Sequence, residues 1–186
     1  MLDTAQLMQV APSIFAEEPY DKVSDKYKMI RTYDIVRSLG DIGFSPVMAK
    51  ETRCRNVDKR PYTKHMVMFR KNDWEDYLSN LRSVPQLLLT NAHDGTSRYV
   101  LDVGVFRFVC SNGMVIKSGD FGGFSVKHSG PNVVEEVNNA AKQAEELLPA
   151  LMERVKKWSR VYLDRPAQRE LAESMLVARY GDITKS

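Results

Sequence analysis

Hydrophobic and polar positions change rhythm twice along the chain, and the two changes outline its architecture. In residues 24–39, Ile35, Val36 and Leu39 form an apolar side while Tyr27, Ile30, Asp34 and Arg37 share a stripe. That spacing predicts a helix capped by Ser24 and ended near Gly40. From Phe44 the period shortens to two. One strand is predicted over residues 44–53 and another over 62–70, where Thr63, His65, Val67 and Phe69 alternate with Lys64, Met66, Met68 and Arg70. Residues 54–61 join the two as a hairpin tip. Residues 72–82 read as a short helix or loop, and residues 87–90 as a short strand. The turn formers His93-Asp94-Gly95-Thr96-Ser97 follow. Residues 99–110 read as a long strand with Tyr99, Leu101, Val103 and Val105 on one face, and a slip in phase near Gly104 predicts a β-bulge. Ser111-Asn112-Gly113 reads as a hairpin turn, residues 114–117 as the returning strand, 119–123 as a glycine-rich turn and 124–128 as the last strand.

After Gly130-Pro131 helical spacing returns. Val137, Ala141, Ala144, Leu148, Leu151, Val155, Trp158 and Tyr162 recur at alternating steps of four and three, a heptad-like seam. Pro149 predicts a kink in it or two abutting helices. The seam fits a helix that covers the sheet; a contact between subunits is the sharper alternative. A final helix over residues 167–180 carries Leu171, Met175 and Ala178. The order predicts an α+β fold: an antiparallel β-meander preceded by one helix and covered by long C-terminal helices. Residues 1–22 read as an N-terminal segment, 23–165 as the core domain, and 166–186 as a C-terminal helix that starts an extension.

Composition adds exclusions. The 186 residues are 43% hydrophobic and 27% charged, which does not fit a disordered tail, a collagen-like fibre or a disulfide scaffold. No apolar run approaches the roughly 18–20 residues that cross a bilayer, and residues 1–10 lack the regions of a secretory signal. The two cysteines, Cys54 and Cys110, form no CxxC pair. The expectation is a reduced, cytoplasmic protein with no membrane partner. Charge changes the picture more. The net charge is only +3, yet residues 50–71 hold 8 bases against 2 acids, a net +6 confined to one stretch.

Candidate chemistry is sparse. The three histidines, His65, His93 and His128, are not spaced like zinc or iron ligands. His93 beside Asp94 suggests a metal pair, but reads more simply as a turn in which Asp94 bonds its own backbone and Gly95 takes positive φ. Cys110 has no base in pattern with it and reads as a small buried hydrophobe. Gly119, Gly122 and Gly123 form no phosphate loop. Neither a catalytic residue, a metal nor a cofactor is expected. The basic hairpin carries the functional signal, since single-strand binders combine cations along a backbone path with aromatic platforms. Lys50, Arg53, Arg55, Lys59, Arg60, Lys64, Arg70 and Lys71 are the candidate phosphate contacts, and Tyr62 and Phe69 the candidate stacking groups; Trp74 and Tyr77 lie near them. Arg53 and Arg55 are expected to share a strand face, as are Lys64 and Arg70. A solvated charged loop gives the same count.

Several blocks resemble the phage/plasmid-like protein family of prophages and conjugative plasmids, which is catalogued as a domain of unknown function. They are Val23-Ser24-Asp25-Lys26-Tyr27, Gly43-Phe44-Ser45-Pro46-Val47, Lys64-His65-Met66-Val67-Met68-Phe69-Arg70, Asn91-Ala92-His93-Asp94-Gly95-Thr96-Ser97, the run from Gly104 to Met114, and Val126-Lys127-His128-Ser129-Gly130. The resemblance implies a mobile-element setting and no particular activity. The order of elements is also similar to the core of single-strand annealing proteins, which form rings or filaments around a basic groove. The resulting expectation is a nonenzymatic, homo-oligomeric binder of single-stranded nucleic acid, DNA favoured, in annealing or recombination. The alternative is an inhibitor that binds a host defence or nuclease protein. A third reading is a hydrolase built around His93, Asp94, Asn112 and His128.

Overall fold

The computed structural model describes residues 1–74, 84–108 and 115–181. The readings made for residues 75–82, for Cys110, for the turn 111–113 and for Met114 lie outside them.

The fold is α+β, with a five-stranded antiparallel meander in the order β1-β2-β3-β4-β5. The strands are β1 (Phe44–Glu51), β2 (His65–Lys71), β3 (Gln86–Asn91), β4 (Tyr99–Phe108) and β5 (Val115–Val126). Two short N-terminal helices precede them, α1 (Thr4–Val10) and α2 (Thr32–Asp41), and two long ones follow, α3 (Val133–Ser159) and α4 (Arg165–Tyr180). The chain divides into two compact units, Met1–Val155 and Lys156–Ser186.

The alternation of β2 and β4 builds the core. Val67, Phe69, Leu87, Leu89, Tyr99, Leu101 and Val103 are fully buried, in one cluster with Leu39 and Phe44. From α3 the cluster takes Val137, Ala144, Leu148, Leu151 and Val155, five positions of the heptad-like seam. The seam's last members, Trp158 and Tyr162, are 51% and 90% exposed. Helix α1 was not legible as a periodic pattern. A reciprocal cap starts it: Gln6 N–H donates to Asp3 Oδ1 at 2.8 Å, and Asp3 N–H donates to Gln6 Oε1 at 2.9 Å. It and the short 3-10 turn Pro12–Phe15 that follows bring Leu7, Ala11 and Ile14 to the same core.

Three expected elements differ. The helix predicted from Ser24 begins only at Thr32. Residues before it are held by distant partners instead: Lys28 N–H donates to His128 O at 2.6 Å and the Tyr27 hydroxyl to Ala92 O at 2.9 Å. Residues 119–123 are not a turn but the middle of β5. The glycines there allow irregular pairing, because Gly122 has φ +107° and a side chain at Gly123 would collide with the Asp102 carboxylate. The register shifts on both sides of Gly104, where the bulge was expected. Finally, Pro149 lies inside one helix, α3, so of the kink and the two abutting helices that it predicted, the second does not form. The helix forgoes the hydrogen bond that residue 149 would make to Glu145 O, while its neighbours Leu148 and Leu151 are buried in the core.

In the second unit α4 stands on its own signals. Asp164 Oδ1 accepts Ala167 N–H at 3.0 Å, and Gly181 ends the helix at φ +79°.

Candidate nucleic-acid interface

An antiparallel meander returns its odd-numbered turns to one edge of the sheet. The β1–β2 loop, the β3–β4 loop and the segment after β5 therefore gather at the same end. Residues 52–64, 92–98 and 127–131 hold seven bases (Arg53, Arg55, Lys59, Arg60, Lys64, Arg98, Lys127) against two acids (Asp58, Asp94). The loop part of that stretch, residues 52–64, thus belongs to a basic sheet end to which three loops contribute.

The structure divides the predicted phosphate contacts. Arg53, Arg55, Arg60 and Lys64 are exposed on the β1–β2 loop. Strand β1 ends at Glu51, so Arg53 and Arg55 belong to the loop and not to a strand face. Arg60 Nε donates to Cys54 O at 3.2 Å, which tightens the loop on itself. Lys59 lies 3.9 Å from the Asp94 carboxylate and 5.2 Å from the centre of the Tyr20 ring. Lys50 is half-buried in β1. Arg70 and Lys71 end β2, roughly 20 Å from the loop at about 3.3 Å per strand residue. Lys71 Nζ donates to Glu145 Oε1 at 3.1 Å and lies over the Phe44 ring. Of the aromatic candidates, Tyr62 packs its ring 5.5 Å from that of Tyr20 and stays partly exposed. Phe69 is fully buried, so its ring serves the core. Phe69→Ala should cost roughly 3–5 kcal/mol of stability, read by urea denaturation, with no separate loss of any binding measured well below the midpoint.

Beneath the basic loops lies a buried polar network that sequence spacing did not reveal. All three histidines enter it, each from a different strand end. His65 is 2% exposed, His93 0% and His128 8%. The hydrogen-bond roles follow from the groups that can only accept. His65 Nδ1 lies 3.0 Å from Thr63 O and donates to it, so its Nε2 accepts the Thr32 hydroxyl at 2.8 Å. Thr32 Oγ1 then accepts from Asn91 Nδ2 at 3.0 Å and from His93 Nε2 at 3.3 Å. Asn91 Nδ2 also donates to Ile30 O at 3.0 Å, and its Oδ1 accepts Ala92 N–H at 2.9 Å. His93 Nδ1 is left bare and buried.

Burial pushes the imidazole pKa down to about 4 at His65 and about 3 at His93, where the other two rings add to the effect. His128 is also lowered by burial, opposed by the Lys28 carbonyl. Both of its nitrogens face oxygens that only accept, Lys28 O at 3.0 Å and Asn91 Oδ1 at 2.8 Å. A neutral ring satisfies one of them and an imidazolium both, which makes His128 the first of the three to gain a proton on acidification. Its ring stacks on Tyr27 at 4.7 Å.

This network is a weld. It ties the start of α2, the ends of β2 and β3 and the segment after β5 under the loops that carry the cations. Backbone bonds complete it: His93 N–H donates to Tyr62 O and Tyr20 N–H to His93 O, each at 2.9 Å. Asp94 is engaged by its own turn rather than by a histidine. Its carboxylate accepts Thr96 N–H at 3.0 Å, and Gly95 has φ +76°, the self-bonded turn expected from sequence. His93 is fully buried and faces no substrate, and Asn112, the other member of the hydrolase reading, lies outside the described residues. Among the described residues no group of three or more His, Cys, Asp or Glu side chains is placed to hold a metal. Nor is any described helix long and apolar enough to cross a membrane.

A family profile described as a domain of unknown function (DUF932) matches residues 19–184. Two Escherichia coli (strain K12) proteins, UPF0380 protein YafZ and UPF0380 protein YfjQ, are each 35% identical to the chain over 181 residues, covering 97% of it. The chain spans 64% of the length of either relative. No solved structure matches it.

Proposed function

This chain belongs to the DUF932 family, and on that premise we propose that it is a nonenzymatic protein that binds single-stranded nucleic acid, DNA in preference to RNA, through the basic end of its sheet. The observation that carries the reading is the convergence of seven bases against two acids on three adjacent loops, with Arg53, Arg55, Arg60 and Lys64 all exposed. Cations on a fixed frame neutralise a phosphate backbone without the ordering cost of a mobile tail. The half-exposed Tyr62, held against Tyr20, offers an aromatic edge for a base. The buried network supports the frame and takes no part in chemistry.

The setting we propose is a mobile element, and the role is annealing or recombination by a homo-oligomer. Helix α4 leaves Leu171, Met175 and Tyr180 exposed, apolar surface of the kind a subunit contact covers. The test is fluorescence anisotropy of a labelled 30-nucleotide single strand at low salt, with light scattering of the same mixture. Saturable binding that exceeds binding to a duplex of equal length supports the reading. Absence of binding at 20 mM salt ends it, and a stoichiometric host protein recovered without nucleic acid turns the assignment to the inhibitor.

A further inference from the structure

The basic end contains a cleft whose cations the sequence count did not single out. It has a volume of about 320 Å³ and opens between residues 24–27, the β3–β4 loop and the segment after β5. Lys26, Arg98 and Lys127 line it, together with the hydroxyl-bearing Thr96, Ser97 and Ser129. No carboxylate lines it. The three cations are exposed, and none forms an ion pair among the described residues. They are not spent on stability.

The neighbouring acid is already partnered. The Asp94 carboxylate is held by the Thr96 N–H and hydroxyl and by Lys59. The walls are also fixed in place. His128, on the floor, lies between Lys28 O and Asn91 Oδ1 and stacks on Tyr27, and Lys28 N–H ties the first wall to the third at 2.6 Å. Three cations from three separate segments converge on this floor beside the Ser129 hydroxyl, while the Thr96 and Ser97 hydroxyls donate to Asp94 Oδ1 and Arg98 O. That is a cationic cradle for a tetrahedral oxyanion, and its size suits one or two phosphate groups rather than a whole nucleobase stack.

We propose that this cleft is a phosphate-binding subsite. It rests on the single-strand reading in one respect: the phosphate is taken to be a backbone phosphate of the strand whose neighbours meet Arg53, Arg55, Arg60 and Lys64. The same chemistry recognises a free phosphate or pyrophosphate, and the test separates the two sources.

The variant Lys26→Gln/Arg98→Gln/Lys127→Gln is compared with the wild type in oligonucleotide anisotropy across 20–200 mM salt and in calorimetry with inorganic pyrophosphate. A second variant, Lys26→Arg/Arg98→Lys/Lys127→Arg, keeps the charges and controls for folding. Loss of three phosphate contacts lowers the salt slope by about 2 and the affinity at low salt by at least roughly tenfold, while the charge-keeping variant binds like the wild type. If the wild type binds the strand and the neutral variant binds it equally well at every salt, the subsite is refuted and the single-strand reading stands. If the wild type ignores the strand but binds pyrophosphate, and the neutral variant does not, the single-strand reading is refuted and the subsite serves a free phosphate compound. If the wild type binds neither, both are overturned.

Discussion

Lowering the pH from 7 to 4 should unfold the protein or bring it to the edge of unfolding. In the unfolded chain each histidine titrates near 6.5, whereas in the fold His65 titrates near 4 and His93 near 3. Between those limits the folded state binds fewer protons than the unfolded one. The stabilisation is therefore complete above about pH 6.5 and is lost progressively as the pH falls toward 4 and below. Each tenfold difference in proton affinity is worth about 1.4 kcal/mol. Allowing for coupling between two rings 5.0 Å apart, the pair withdraws on the order of 4 kcal/mol by pH 4, a large part of a typical domain's margin. The check is circular dichroism melting at half-unit steps of pH, with the histidine side-chain resonances followed alongside. The expected result is a midpoint that falls steeply below pH 6, with His128 protonating first and His93 only on unfolding. His65→Gln should flatten the fall. A melting temperature unchanged down to pH 4 would show that the histidines are not held neutral by the network.

The largest effect on binding should come from Arg53→Gln, Arg55→Gln, Arg60→Gln and Lys64→Gln made together. All four side chains are exposed, and the only hydrogen bond any of them contributes to the loop among the described residues is Arg60 Nε to Cys54 O, so the fold should survive. Each lost phosphate contact removes about 0.7 from the slope of log affinity against log salt for a single strand, which at 50 mM salt is roughly tenfold in affinity. Four contacts that act independently would cost on the order of 10³–10⁴-fold; allowing for partial rearrangement, the quadruple variant should bind at least ~100-fold more weakly. Arg70→Gln, near the other end of β2, serves as the control and should change affinity little. Equal losses from both variants would mean that the strand does not track the sheet end.

How legible these features were depends on how far apart their causes lie in the chain. The alternation in β2 and β4 was readable because each side chain's environment is set by period two within one strand. The Asp94-Gly95 turn was readable because its hydrogen bond spans two residues. Ser24 looked like a helix cap because nothing local says that Lys28 will pair with His128, 100 residues away. The glycines of β5 looked like a turn because the reason for them, close approach to Asp102, belongs to the facing strand. The histidine network left no spacing to find. Its members sit at the start of β2 and just beyond β3 and β5, and only the meander topology makes His65, His93 and His128 neighbours. That topology was itself expected from the sequence. Applied to the loops, it would have placed Arg98 and Lys127 beside the hairpin's cations, which a windowed charge count could not do. Phe69 shows the opposite error: proximity in sequence to the cations suggested a stacking role, while its own alternation already placed it with Val67 in the core.

The central claim is that the basic sheet end holds a single-stranded backbone by several simultaneous phosphate contacts. The most direct measurement is the wild-type affinity for a labelled 30-nucleotide single strand between 20 and 200 mM salt. Engagement of five to seven cations predicts a straight line of slope about −3.5 to −5 in log affinity against log salt. A slope near zero, or no binding at the lowest salt, would contradict the account.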